Sequence, residues 1–131
     1  MMGDLHGSLG SLVMPVAILV SVMSFGAFLF RTRRLGRALA RIVDLAVIGT
    51  AALIVVAMGA GALIFIGGQQ PQQILHLAYG VAALAAVPAS AALGVRAEQR
   101  GGRSGSRYLW IAFGAFALVG LTLRLTQTGS V

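Results

Sequence analysis

The chain reads as an all-α membrane protein: a four-transmembrane-helix up-down bundle with both termini outside. Three observations predict it. Four apolar stretches, at about 9–30, 42–66, 74–95 and 108–125, each approach or exceed the roughly 20 residues needed to cross about 30 Å of hydrocarbon. The chain is 58% hydrophobic and 10% charged, with a mean hydropathy of +0.92, far from the roughly 25% charge of soluble domains. Arginines crowd the first and third connections and leave the second uncharged. Residues 1–131 therefore form one transmembrane domain, with too little chain outside the spans for a second.

The charge of +7 acquires meaning from its placement. Arg31, Arg33, Arg34, Arg37 and Arg41 follow the first span, and Arg96, Arg100, Arg103 and Arg107 lie between the third and fourth. The positive-inside rule puts these connections in the cytoplasm of a bacterial inner membrane, and the termini on the outer side. There the arginines meet anionic lipid headgroups rather than nucleic acid. The chain begins without a positive n-region, so the first span is expected to remain as an N-outside anchor rather than to be cleaved.

In the first span Asp4 is positioned to cap a helix, and His6, Gly10, Met14, Ala17, Ser21 and Ser24 share one face. Pro15 removes one backbone hydrogen bond, which membrane helices tolerate. The second span carries small-xxx-small pairs, Ala46/Thr50 and Ala57/Gly61, with Gly49 and Gly59, all of which suit close helix contact. Asp44 is expected to cap its cytoplasmic end and pair with Arg41 or Arg37. The neutral connection at 67–73 is short enough to make spans two and three antiparallel neighbours, with Pro71 in the first turn of the third helix.

The third span sets His76, Tyr79, Gly80, Ala83, Val87 and Ser90 on one face, and Pro88 frees a carbonyl in its inner half. The fourth begins with the interfacial anchors Tyr108 and Trp110. Arg124, about 24 Å along the axis from Tyr108, falls about 6 Å inside the far edge of the hydrocarbon.

Without cysteine or lysine the chain lacks thiolate metal sites, covalently attached haem and Schiff-base chromophores. Asp4 lies on the opposite side from Asp44 and Glu98, so no carboxylate pair serves acid–base chemistry, and the reading leans away from an enzyme. Serines 21, 24 and 90 are expected to bond to backbone within their helices. His76 and Arg124 are the ionisable groups at membrane depth. One reading leaves His76 as an interfacial side chain bonded to Tyr79, Gln72 or a carbonyl. The other makes it an axial ligand to a tetrapyrrole iron, with Gly80 admitting the macrocycle and Arg124 facing a propionate. His6 is then the available second ligand. Counted outward from Arg31 and Arg96, the two histidines differ in depth by about 7 Å, which argues against pairing.

Leu5-His6 at the outer end of span one, the arginine-rich inner connection, and Leu75-His76 with Tyr79-Gly80 opening span three resemble small four-span bacterial membrane proteins. These in turn look like the membrane subunits of b-type cytochromes. The resemblance covers the whole chain as topology and these few residues as motif. It implies haem b, with His76 as iron ligand and His6, Tyr79, Gly80 and Arg124 around it. Such cytochromes carry histidines in two or more spans, whereas spans two and four have none here.

The functional expectation is a non-catalytic accessory or structural subunit of a larger bacterial membrane complex, bound to lipids and to other membrane subunits. The alternative is a b-type haem- or quinone-binding electron-transfer subunit with its site near the outer face. A pigment-binding protein using His76 ranks below both.

Overall fold

A computed structural model of the chain describes residues 1–68 and 74–129. It contains four helices, α1 (Met2–Leu29), α2 (Arg34–Ile66), α3 (Leu75–Gln99) and α4 (Ser106–Gly129), and no strand among the described residues. Each helix is long and apolar enough to cross a membrane, which fits a multi-pass membrane protein. Pro71 and Gln72 lie outside the described residues.

Helix α2 begins at Arg34, eight residues before the apolar stretch it contains. Hydropathy ends where arginine begins, but arginine, leucine and alanine are all good helix formers, so the helix continues through Arg41, Arg37 and Arg34. This moves Asp44 away from the helix end, where a cap was expected, into the third turn of α2. Its carboxylate instead accepts from the Tyr108 hydroxyl at 3.3 Å and lies 3.7 Å from the Arg107 guanidinium. Asp4 is likewise not a cap. Helix α1 already starts at Met2, so Asp4 falls in its first turn and pairs with the terminal amine at 3.3 Å.

The α1–α2 turn, residues 30–33, is tight. A Cβ at Gly36 would collide with the Phe30 carbonyl, so the first turn of α2 packs directly on the connection. At the same end, residues 100–105 join α3 to α4, and Glu98 accepts the backbone N–H of Arg107 at 3.1 Å. Tyr108 is not an interfacial anchor: it is buried at 6% exposure beneath this network.

Contact is extensive between α3 and α4, α1 and α2, and α1 and α4, and slight between α2 and α3. The neutral connection therefore joins the two sequential helices that touch least. The core follows the same order, with Val13, Ala17 and Val20 from α1, Val43 and Ile54 from α2, Ala83 and Val87 from α3, and Ile111, Ala115 and Leu118 from α4. Alanine and valine predominate, which suits the close backbone approach that helix association in hydrocarbon requires. Gly114 of α4 shows this most directly, since a Cβ there would strike the Ser90 side chain on α3. Ser21 bonds across the α1–α4 interface, donating to the Ala112 carbonyl at 3.0 Å rather than within its own helix. The Ser24 hydroxyl, expected to bond to backbone, is buried without a partner among the described residues. Gly49 and Gly59 are exposed, and a methyl placed on either would meet nothing within 4 Å, so they mediate no helix contact within the bundle. The outer surface is apolar, with Leu19, Val22, Ile48, Val55, Phe113 and Phe116 all exposed.

Candidate functional site

At the end opposite the arginine turns, α1 and α3 bring His6 and His76 together. The ring centres are 6.1 Å apart and the ring planes are inclined by 66°. The depth difference expected between them is absent because the arginines are unequal markers. Arg31 lies beyond the end of α1, whereas Arg96 lies inside α3. Measured from the helix ends, His6 is 23 positions before Leu29 and His76 is 23 before Gln99 (29 − 6 and 99 − 76). Equal counts at equal rise bring the two imidazoles level.

Each ring has its Nδ1 engaged. His6 Nδ1 is 2.8 Å from the Ala57 carbonyl on α2. A carbonyl only accepts, so Nδ1 carries the proton and Nε2 keeps its lone pair. The same ring lies against Gly61, where a Cβ would sit 3.0 Å from His6 Cε1. The Ala57/Gly61 pair, expected to admit a neighbouring backbone, thus admits an imidazole.

His76 Nδ1 makes a longer contact, 3.5 Å, with Thr128 Oγ1 on α4. That hydroxyl donates to the Arg124 carbonyl at 2.9 Å and so accepts from His76. The short bond to Ala57 biases His6 toward the tautomer with a bare Nε2, the arrangement typical of metal-ligating imidazoles; His76 is held more loosely, by Thr128 and by the Leu125 backbone of α4.

The remaining expected residues are less closely joined. Tyr79 and Gly80 are half-buried on α3, one turn inward from His76. Gly80 repeats on α3 the spacing of Gly10 from His6 on α1, and nothing lies within 4 Å of a side-chain position at either glycine. The two histidines therefore have open, half-buried ground one turn below them. Arg124 is exposed, and its guanidinium reaches Gln127 Oε1 at 3.3 Å rather than the histidines. Asp4, at the same end of the bundle, pairs with the terminal amine. Thr128 connects α4 to the pair together with the Leu125 backbone, and Thr128 is a residue that sequence reasoning misses. The signal it offers is its position four residues after Arg124, on the same helix face.

Among the described residues, no group of three or more histidine, cysteine, aspartate or glutamate side chains gathers to hold a metal ion. Two imidazoles alone leave most of a metal's coordination unfilled. They suit a group that brings its own equatorial donors and needs axial ligands, as a tetrapyrrole iron does. The spacing agrees. With nitrogen–metal bonds of about 2.0–2.1 Å and about 1 Å from ring nitrogen to ring centre, two axial imidazoles have centres roughly 6 Å apart.

The fold and this pair together define a class: a small helical bundle of four candidate membrane spans with two histidine rings in edge-on approach at one end. Comparison with family models, with curated proteins and with solved structures gives no match to the chain.

Proposed function

We propose that this chain is a small b-type haem-binding membrane subunit, with His6 and His76 as the axial ligands near the outer face of a bacterial inner membrane. The observation that carries the reading is the 6.1 Å approach of the two rings, each with Nδ1 engaged. The orientation rests on the arginines, nine of which border the end away from the histidines.

When bound, haem supplies reversible uptake and release of one electron. The chain's own residues hold and shield the site. The Ala57 carbonyl and the Thr128 hydroxyl lie beside the two Nδ1 atoms, so the Nε2 atoms of His6 and His76 would be the donors that hold the iron. Gly10 and Gly80 leave the macrocycle room beside the backbone. Arg124, at the same end of α4, has the length to turn from Gln127 to a propionate.

The test is spectroscopic. The protein, produced with an ample haem supply and purified in mild detergent, is expected to show Soret and α bands in a reduced-minus-oxidised spectrum. His6→Ala and His76→Ala should each abolish the six-coordinate spectrum. Absence of both bands from the intact protein, or an unchanged spectrum in both variants, overturns the proposal.

A further inference from the structure

At the other end of the bundle, a cavity of about 290 Å³ opens between the two arginine-bearing turns. Arg31 from the α1–α2 turn, Gly36, Arg37 and Ala40 from the start of α2, Glu98 from the end of α3, Gly105 from the α3–α4 connection, and Arg107 and Tyr108 from the start of α4 line it. We propose that this cavity is a binding site for a phosphate group, and that it takes the phosphodiester of an anionic phospholipid. The proposal is independent of the histidine pair, which lies at the far end of every helix.

The charge balance favours an anion. Glu98 is turned to the backbone N–H of Arg107 and Asp44 lies beside the Arg107 guanidinium, so both acids are engaged at Arg107 and, with Arg31 and Arg37 counted, the group keeps one positive charge in excess. Arg31 donates from Nη1 to the Phe28 carbonyl at 3.0 Å, and its guanidinium stacks on the Phe28 ring at 4.7 Å, which fixes it at the cavity wall with other donors unused. Arg37 has no side-chain partner among the described residues. Planar guanidinium groups recognise phosphate oxygens bidentately. The first turns of α2 and α4 both border the space, and their positive dipole ends add to the attraction.

The shape of the cavity is also specified. Gly105, at φ +81°, lets Arg31 cross the α3–α4 connection, where a Cβ would lie 3.1 Å from Arg31 Cδ. Ala27 and Ala40 provide an apolar wall inside the ring of charge. Since a water occupies about 30 Å³ of liquid, the volume admits a phosphate with part of its glycerol. A lipid meets both surfaces at once, the guanidinium rim through its headgroup and the alanine wall through its glycerol.

The experiment uses native mass spectrometry and thermal unfolding of the full chain in a neutral detergent. The probes are palmitoyl-oleoyl phosphatidylglycerol, the matching phosphatidylcholine, and inorganic phosphate. A single saturable phosphatidylglycerol adduct is expected, at least tenfold weaker in Arg31→Gln/Arg37→Gln and nearly unchanged in Arg100→Gln/Arg103→Gln, which lies outside the cavity lining. Saturable stabilisation by inorganic phosphate alone, lost in the same variant, would keep the phosphate site and assign it to a soluble source. Absence of saturable binding by either probe overturns the proposal, as does an equal loss in the two double variants. Should the double variant misfold, Arg37→Gln alone, an exposed position, carries the test.

Discussion

Replacing Gly61 by alanine tests the seat of His6 directly. The new methyl would lie 3.0 Å from His6 Cε1 and 3.3 Å from Nδ1, so the ring must retreat by a few tenths of an ångström. The ring is also held by a 2.8 Å hydrogen bond to Ala57 on the same helix, one turn away, and retreat lengthens that bond. Two opposing terms set the outcome. Alanine in a helix is worth about 0.5–1 kcal/mol over glycine, while overpacking costs about 1–3 kcal/mol. Gly59→Ala is the internal control, since its methyl meets nothing within 4 Å. Relative to that control, Gly61→Ala should be less stable by about 1–3 kcal/mol. Thermal unfolding in detergent measures the difference, and ¹⁵N spectra of the imidazoles should show His6 shifting while His76 moves less. If Gly61→Ala proves as stabilising as Gly59→Ala and the His6 signals stay put, then His6 does not rest on α2, and its tautomer argument collapses.

Two further outcomes follow from other contacts. Thr128→Val keeps the shape of a buried side chain but removes the acceptor for His76 Nδ1; haem affinity should fall about 10–100-fold, read by haem transfer to an apo-acceptor, while the unfolding midpoint stays close to that of the parent. Gly114→Ala forces a methyl into the Ser90 side chain and against the Ala86 carbonyl at 2.9 Å, so it should destabilise the α3–α4 interface by about 1–3 kcal/mol in reversible unfolding; an unchanged midpoint there would mean that α3 and α4 pack with another face.

The four helices are legible because hydropathy in a chain this apolar leaves few alternatives. Their ends are not, because an arginine run continues a helix while it ends an apolar stretch, as residues 34–41 show. The same confusion makes Asp44 look like a cap and sets His6 and His76 at different depths. Residue types alone pick out both histidines, since ionisable groups in apolar helices are few. Their partners are hidden for a different reason. Ala57 contributes a carbonyl, which every residue has, and Thr128 contributes a hydroxyl whose value depends on which helix lies beside α4. Gly61 stands out for its smallness, but a small residue says only that something comes near. That the visitor is an imidazole is a fact of tertiary packing.

The matched count of 23 residues from each histidine to the end of its helix makes α1 and α3 a pair of measuring rods, each about 35 Å long. Substitutions along the rods are absorbed where they occur. Losing or gaining one residue is not, since it swings the histidine about 100° around the helix and moves it about 1.5 Å along the axis. Such a chain can tolerate wide drift in its apolar letters while its tally of residues between turn and histidine stays fixed. Length, more than identity, is then what keeps the two rings level and within reach of each other.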